Sequence, residues 1–336
     1  MRSFPGKGIA HRIFRRTAWI AARTLSPFRR FDISIFHQFV PPPNGGGHQF
    51  LRALVRCMER RGWKVENNSI SGTTRACVFN SFNFDADRLR WLKRRGCRMV
   101  HRVDGPLTTY RGFDDGTDSK IWNFNREFAD ATILQSNFSL EQHRVLGYDV
   151  SKAHVIVNAA DPFIFHPNGR IPFDTNRKIR IISTSWSDNR NKGADAYAWL
   201  DEHLDYNRYE YVFIGRLPVQ LRNIRVEPPS PSARVAEMLR SSDIFVTASR
   251  NDPCSNSLIE ALSCGLPVLC LRSGGHVELM GMAGKTFDTA VEIPDLLEHL
   301  VKNYAEYQQQ IKAPDIQKVT TAYLDVMGLS AFPPPR

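Results

Sequence analysis

The sequence predicts two doubly wound α/β domains that face each other across a cleft. Three observations carry that expectation. Short apolar strands alternate with amphipathic helices, which calls for parallel strands joined by crossover helices. The alternation breaks once, over 161–178, in "DPFIFHPNGRIPFDTNRK", a stretch rich in Pro, Asn and Gly with no sustained period, and then restarts. The chain has 336 residues, too many for one small core and suited to two domains of about 150 residues each.

The elements follow in order. "DISIFHQFV" reads as a strand and "PPPNGGG" as a Gly-rich turn. "HQFLRALVRCMER" carries apolar residues at 50, 51, 54, 55 and 58, the spacing of one helix face, and Gly62 stops it. "RACVFNSF" is a strand, "DADRLRWLKRRG" a helix and "CRMVHRVDG" a strand. "SKIWNFNREFA" (helix), "DATILQS" (strand), "NFSLEQHRVLG" (helix) and "AHVIVNAA" (strand) complete an N-terminal domain over 32–165. Residues 166–178 form the linker. A second domain over 179–310 repeats the alternation with strands "IRIISTSW", "YEYVFIG", "DIFVTAS" and "LPVLCL". Its helices are "GADAYAWLDEHL", "SARVAEMLRSS", "NSLIEALSCG" and the start at "GGHVELMG". Residues 311–336 hold a last helix, "QKVTTAYLDVM", and a loose tail, "AFPPPR".

Composition narrows the function classes. Hydrophobic residues make up 42% of the chain, ordinary for a folded domain, and no apolar run reaches the ~18 residues of a membrane span. The six cysteines form no Cys-x-x-Cys pair and no zinc-spaced cluster, so reduced, mostly buried thiols in a cytosolic protein are expected. The ten histidines make no His-x-x-x-His pair, and no Gly-x-Ser-x-Gly elbow is present. "GMAGKT", 281–286, resembles the end of a phosphate-binding loop, but position 279, where that motif needs Gly, is Leu. "DAD", 85–87, could mimic an Asp-x-Asp metal clamp; a helix cap at Asp85 or Asp87 is the preferred reading. Net charge is +11, and residues 1–31 hold eight Lys or Arg without an acid. This segment is either a solvated basic tail or an arm on an anionic membrane surface. No nucleic-acid motif accompanies the charge.

Candidate chemistry centres on "SRNDPCSNSLIEALSCGLPV", 249–268. A strand end leads into a loop of small polar residues, then a helix that starts near Ser255–Ser257 and stops at Gly265. Free N–H groups and the dipole at such a start suit a diphosphate. Glu260, one turn in, could hold a vicinal diol, and Asp252 projects from the loop. The plain alternative is a capped helix with a solvated Glu. "STSWSDNRNKG", 183–193, adds Arg190 and Lys192 before another helix, where they could neutralise phosphate. "SGGHVE", 273–278, adds Gly274 and Gly275 at a third strand end, where backbone could approach a ligand.

Together these stretches resemble the retaining glycosyltransferases of family 4, with the two-Rossmann GT-B fold. That family carries Glu, seven residues, Glu, then A-x-x-x-G-x-P-V and a Gly-Gly turn; here the run is "DPCSNSLIEALSCGLPV" followed by "SGGHVE". The family's junction "N-G-V-D…F-x-P" is matched by "NAADPFIFHP", 158–167, and its N-terminal Gly-rich loop by "PPPNGGG". The resemblance spans about residues 32–310. It implies that Glu260 holds the ribose of a nucleotide sugar and that Asp252 meets sugar hydroxyls. It further implies that the backbone of Cys254, Ser255 and Asn256 binds diphosphate, Lys192 neutralises the leaving group, and Gly45, Gly46 and Gly47 face it from across the cleft. It also implies that the C-terminal helix crosses back to the first domain.

Three departures stand out. The first family Glu is Asp252, and Ser187 stands where a family Arg is usual, so either Arg190 replaces it or that charge is missing. Where many members keep an N-domain His, "HRVDG" offers Asp104, with His101 inside the strand. The expected activity is metal-free transfer from a nucleotide sugar to a glycan or lipid-linked acceptor, by a cytoplasmic enzyme, free or held on the inner membrane face. A nucleotide-sugar epimerase and a non-catalytic sugar-nucleotide or glycan-binding protein are the alternatives.

Overall fold

The computed structural model describes residues 30–39, 46–82 and 84–330. Gly45, the tail 331–336 and all but the last two residues of the basic segment 1–31 lie outside them.

In the N-terminal domain the strands are β1 (Ile33–Phe36), β2 (Val65–Asn67), β3 (Ala76–Asn80), β4 (Arg98–Val103), β5 (Ala131–Leu134) and β6 (Ala153–Val155). They form one parallel sheet in the order β2-β1-β3-β4-β5-β6. The helices are α1 (Gly46–Arg60), α2 (Ala86–Arg94), α3 (Leu107–Arg111), α4 (Thr117–Phe128) and α5 (Asn137–Val145). Helices on both faces explain why β3 is buried at every position. The chain reverses its winding between β1 and β3, so the crevice at their carboxyl ends is where such a sheet receives a ligand.

The second domain repeats the plan. Its strands are β7 (Ile179–Ser185), β8 (Tyr209–Gly215), β9 (Arg225–Glu227), β10 (Ile244–Thr247), β11 (Val268–Leu271) and β12 (Gly284–Phe287). They run parallel in the order β12-β11-β10-β7-β8-β9, which puts the switch point between β7 and β10. Helices α6 (Ala194–His203), α7 (Ser232–Arg240), α8 (Asn256–Ser263), α9 (His276–Met280), α10 (Ile293–Lys302) and α11 (Tyr304–Gln309) cover it. The last helix, α12 (Ile316–Val326), belongs by packing to the first domain. Ile316, Val319, Tyr323 and Leu324 share one apolar core with Ile33, Leu51, Leu54 and Met58, and Arg61 donates to Gln317 and Thr321 on its surface.

Some expectations shift in the structure and others hold. The "PPPNGGG" turn is shorter than read, because Gly46 and Gly47 already belong to the first turn of α1. The strand in "AHVIVNAA" stops at Val155, and the residues after it turn inward, with Asn158 fully buried. "AGKT" is no phosphate loop: Gly284 opens the edge strand β12, and a Cβ there would lie 1.8 Å from the Val268 carbonyl oxygen. Asp85 does cap α2, accepting from the Asp87 N–H at 3.1 Å. The 166–178 segment is a packed strap: Phe173 stacks on Tyr304 at 3.8 Å between centroids, and Arg177 grips buried Asp243 with both amino groups.

Candidate active site

Lys192 is placed by a tight turn. Strand β7 ends at Ser185, and a 3-10 turn over Arg190–Lys192 leads through Gly193 into α6. Gly193 has φ +95°, and a Cβ there would meet the Cβ of Ala248 at 2.5 Å; only glycine allows this close approach of the turn to the end of β10. The approach carries Lys192 Nζ to 2.7 Å from Asp252 Oδ2. Burial opposes the Lys192 charge, but Asp252 outweighs it and holds the ammonium above its ordinary range. Burial likewise pushes Asp252 up, but Lys192, aided by the Cys254 N–H, holds its carboxyl below the usual range. The pair is therefore ionised across the physiological range.

Asp252 is shaped by the glycine pair. The Gly275 N–H donates to the Asp252 carbonyl at 2.9 Å. A Cβ on Gly274 or Gly275 would strike the Asp252 or Pro253 carbonyl oxygen at 2.2 or 2.5 Å. Gly274 and Gly275 thus pack on protein backbone and hold the Asp252 loop; they do not line the cavity. Downstream, Ser255 caps α8, its hydroxyl accepting from Leu258 N at 3.4 Å. First-turn N–H groups of a helix have no intrahelical acceptor, so those of Asn256 and Ser257 are available at the cavity these residues line. The Cys254 N–H is already bonded to Asp252 Oδ1 at 3.2 Å, and burial pushes the Cys254 thiol up to about 12, which keeps it neutral.

One cavity gathers Ser185, Trp186, Ser187, Lys192, Ser249, Asp252, Cys254, Ser255, Asn256 and Ser257 with Gly46 of the first domain. It sits at the β7/β10 switch point. Six predicted residues among the described ones do not line it: Gly47, Asp104, Arg190, Glu260, Gly274 and Gly275. Arg190 is exposed and pairs with Asp195 at 2.5 Å. Glu260 lines a separate, narrower crevice with Gly46, Gln49, Phe50, Ala159, Asp161 and Asn256. It is only 7% exposed, and burial alone pushes its carboxyl up to about 8. Gly46 and Asn256 line both spaces, and a Cβ on Gly46 would lie 2.5 Å from the Asn256 Cβ. This contact stands between the two. Gly47 has open space around it.

The first domain supplies a polar network that the sequence did not reveal. Arg102 is fully buried, yet donates to Asn80 Oδ1 at 2.5 Å, Asp104 Oδ1 at 2.8 Å and Asn158 Oδ1 at 3.0 Å. Asp104 also accepts from Ser81 Oγ at 2.6 Å and from Gln135. Burial pushes the Asp104 carboxyl up, but Arg102 and these donors outweigh it and hold it below the usual range. Its side chain remains about half exposed. Asn158 Nδ2 donates to Gln135 and, across the domain boundary, to Asn256 Oδ1, each at 3.1 Å. His101 is a core residue: it stacks on Phe79 at 4.3 Å and bonds the Ser81 carbonyl at 2.8 Å, and burial pushes it down to about 4. Of the two, only Asp104 reaches solvent. The second arginine of β4, at a buried strand position, was the one available signal for the network.

Further contacts hold the domains together. Glu278 of α9 accepts from the Asn137 and Phe138 N–H groups at 3.0 and 3.1 Å, capping α5 of the opposite domain. Asn191 and Asn251 donate to the Tyr110 and Thr109 carbonyls at 2.6 and 3.1 Å.

The arrangement suits an anionic ligand with a diphosphate-sized centre. A family model described as "Glycosyl transferases group 1" matches residues 199–304. A comparison with curated proteins finds no match. Among solved structures, Anabaena HepE in complex with UDP and glucose is similar over 90% of this chain and 98% of that one, at 13% identity and TM-score 0.61. Sucrose-phosphate synthase from Thermosynechococcus elongatus is similar over 90% and 97%, at 13% identity and TM-score 0.64. The catalytic domain of starch synthase IV from Arabidopsis thaliana, bound to ADP and acarbose, is similar over 90% and 99%, at 11% identity and TM-score 0.68. Residues 199–304 thus resemble the glycosyl transferases group 1 family, within a chain whose two parallel six-stranded domains form the GT-B fold.

Proposed function

We propose that the protein is a retaining glycosyltransferase of the family 4 type that moves a sugar from a nucleotide diphosphate sugar to a glycan or lipid-linked acceptor in cell-surface polysaccharide biosynthesis. The observation that carries the reading is the convergence of Lys192, Asp252 and the start of α8 in one cavity at the β7/β10 switch point. The complexes of HepE with UDP and with UDP-glucose support a donor of this class. As the sugar–phosphate bond breaks, negative charge grows on the leaving oxygen. Lys192 and the Asn256 and Ser257 N–H groups are its stabilisers, preorganised in a partly dry cleft. Asp104, ionised and held by three donors, faces the positive charge that develops on the sugar ring.

The cavity bounded by described residues encloses about 240 Å³, below the ~300–1,000 Å³ of small-ligand sites. Donor entry is proposed to part the domains. Parting Gly46 from Asn256 would join the cavity to the Glu260 crevice and let one ligand reach both α8 N–H groups and Glu260. Gly46→Ala places a methyl in that contact, so it should hold the cleft open and lower turnover about tenfold while leaving the melting temperature nearly unchanged. X-ray scattering with and without UDP checks it. Unaltered closure and turnover would show that the contact is irrelevant.

The donor class is tested by thermal shift with UDP-, GDP- and ADP-sugars, since a bound donor raises the midpoint by mass action, followed by product analysis. A new glycoside with the donor's anomeric configuration scores retention; a changed free donor means an epimerase, and binding with neither means a binding protein. Catalysis is proposed to need no metal, because Lys192 and the helix N–H groups supply the positive field and Asp85 is spent as a cap. Activity should survive EDTA; loss in EDTA with rescue by manganese would overturn this.

Membrane attachment is proposed to rest on residues 1–31. On α1, Arg56 and Arg60 are exposed, although Arg56 pairs with Asp161 and Arg60 lies 3.6 Å over Phe163. On α2, Arg88 and Lys93 bond backbone carbonyls, and Arg90 pairs with Glu127. Co-sedimentation with vesicles should need anionic lipid, weaken with salt and vanish when 1–29 are removed. Equal binding to neutral vesicles would end the idea.

A further inference from the structure

The rim of the first domain carries a chain of hydrogen bonds that fixes the proton of its last member. Arg102 Nη1 donates to Asn80 Oδ1 at 2.5 Å. A guanidinium only donates, so the Asn80 oxygen faces Arg102 and the amide nitrogen faces the other way. That nitrogen lies 3.3 Å from His37 Nδ1. An amide NH2 also only donates, so His37 Nδ1 carries a lone pair, and the neutral ring keeps its proton on Nε2. His37 Nε2 lies 2.7 Å from His48 Nδ1, which must therefore accept. His48 is left with its proton on Nε2.

The position of this chain is that of a ligand site. His37 follows β1 directly, and Asn80 ends β3, so both stand at the switch point of the first sheet. His48 lies in the first turn of α1, two residues after Gly46, which packs on Asn256. Its ring is partly exposed, and among the described residues nothing bonds its Nε2. Both rings are neutral near pH 7. Burial, then His48, Arg102 and Arg52, push His37 down to about 4 against the opposing pull of Asp104. Burial and Arg52 push His48 down, again against Asp104.

We infer that His48 is held as an Nε2–H donor to an oxygen of the bound substrates, and that Arg102, Asn80 and His37 are positioning residues that set this proton. A neutral ring locked in this form binds lone pairs and is not the base that deprotonates an incoming hydroxyl. The recipient is a substrate oxygen with a free lone pair, on the donor phosphate or sugar or on the acceptor. The identity of that substrate rests on the transferase reading above; the proton assignment does not.

Side-chain 15N spectra of the full chain at pH 7 test the relay. Both His37 and His48 should show the Nε2–H form. A His48 protonated on Nδ1, or an even mixture of forms, overturns the inference. Asn80→Leu removes the anchor and should mix the forms at both rings; if that variant does not fold, the wild-type spectrum still decides. His48→Leu should lower kcat/KM for transfer at least about tenfold, and His48→Gln, which keeps an N–H in that place, should restore most of it. Equal losses in UDP-glucose hydrolysis and in transfer place the recipient oxygen on the donor, and a loss in transfer alone places it on the acceptor. Wild-type rates in His48→Leu overturn the substrate contact. Failure of every UDP-, GDP- and ADP-sugar to bind refutes the transferase reading instead, and the spectra still score the relay.

Discussion

Lys192→Ala is expected to lower turnover by about 10²–10³-fold, the cost of losing one preorganised stabiliser of leaving-group charge. Two effects must be separated in that loss. Lys192 also balances Asp252, which is 8% exposed, and removing the ammonium leaves a carboxylate with only the Cys254 N–H and Ser249 hydroxyl for support. Stranding a buried charge this way destabilises by about 1–3 kcal/mol. The double variant Lys192→Met, Asp252→Asn removes both charges and should recover most of that stability. It should recover none of the turnover. Denaturant melts read the first quantity and single-turnover rates the second. The pair also sets a pH window. Lys192, raised, contributes stability that is lost as pH climbs through its folded value; Asp252, lowered, contributes stability that is lost as pH falls through its own. The pair therefore supports the fold over the whole neutral range. If Lys192→Ala turns over at the wild-type rate, the leaving group is elsewhere and the site is misassigned.

The doubly wound plan was legible because its signals are local. Strand and helix periods, the glycine stops and the cap at Asp85 each depend on a few neighbouring residues. What escaped were short edge strands such as β2 and β9, three residues each, too brief for any period to show. The C-domain site was legible for a related reason. Asp252, Cys254, Ser255 and Asn256, which line the cavity, sit within five residues of chain, while Glu260 on the same helix lines the neighbouring crevice. Arg190 was grouped with Lys192 because both stand just before α6, but the segment that holds them is a 3-10 turn. With three residues per turn, Arg190 and Lys192 point about 120° apart, so placing Lys192 on Asp252 sends Arg190 outward to Asp195. Arg102, Gln135 and Asn158 were invisible for the opposite reason. They come from three distant stretches and acquire meaning only when the two domains meet, where Asn158 bridges to Asn256.

Glu260→Gln is expected to be more stable than the native chain at pH 8 and to bind nucleotide less tightly. The native carboxyl is buried in the Gly46–Asn256 crevice and titrates near 8, against an ordinary value of 4.5. A raised acid reverses the common case: the folded state holds a proton that the unfolded state has released. Stability is fully present below about pH 4 and declines as pH rises toward 8, by an amount on the order of 4 kcal/mol. Glutamine cannot ionise, so it removes this slope, and stability against pH should flatten across that interval. Nucleotide binding runs the other way. Ribose hydroxyls donate best to an ionised carboxylate, so a ligand seated on Glu260 lowers its pKa and expels the proton. UDP titrated at pH 6.5 by calorimetry, in two buffers of different ionisation heat, should release up to about one proton more from the native chain than from Glu260→Gln, with about tenfold tighter binding. A flattened stability curve without that excess proton would leave Glu260 a buried acid of the core, and the ribose would have to be sought along the cavity wall formed by Ser185, Trp186 and Ser187.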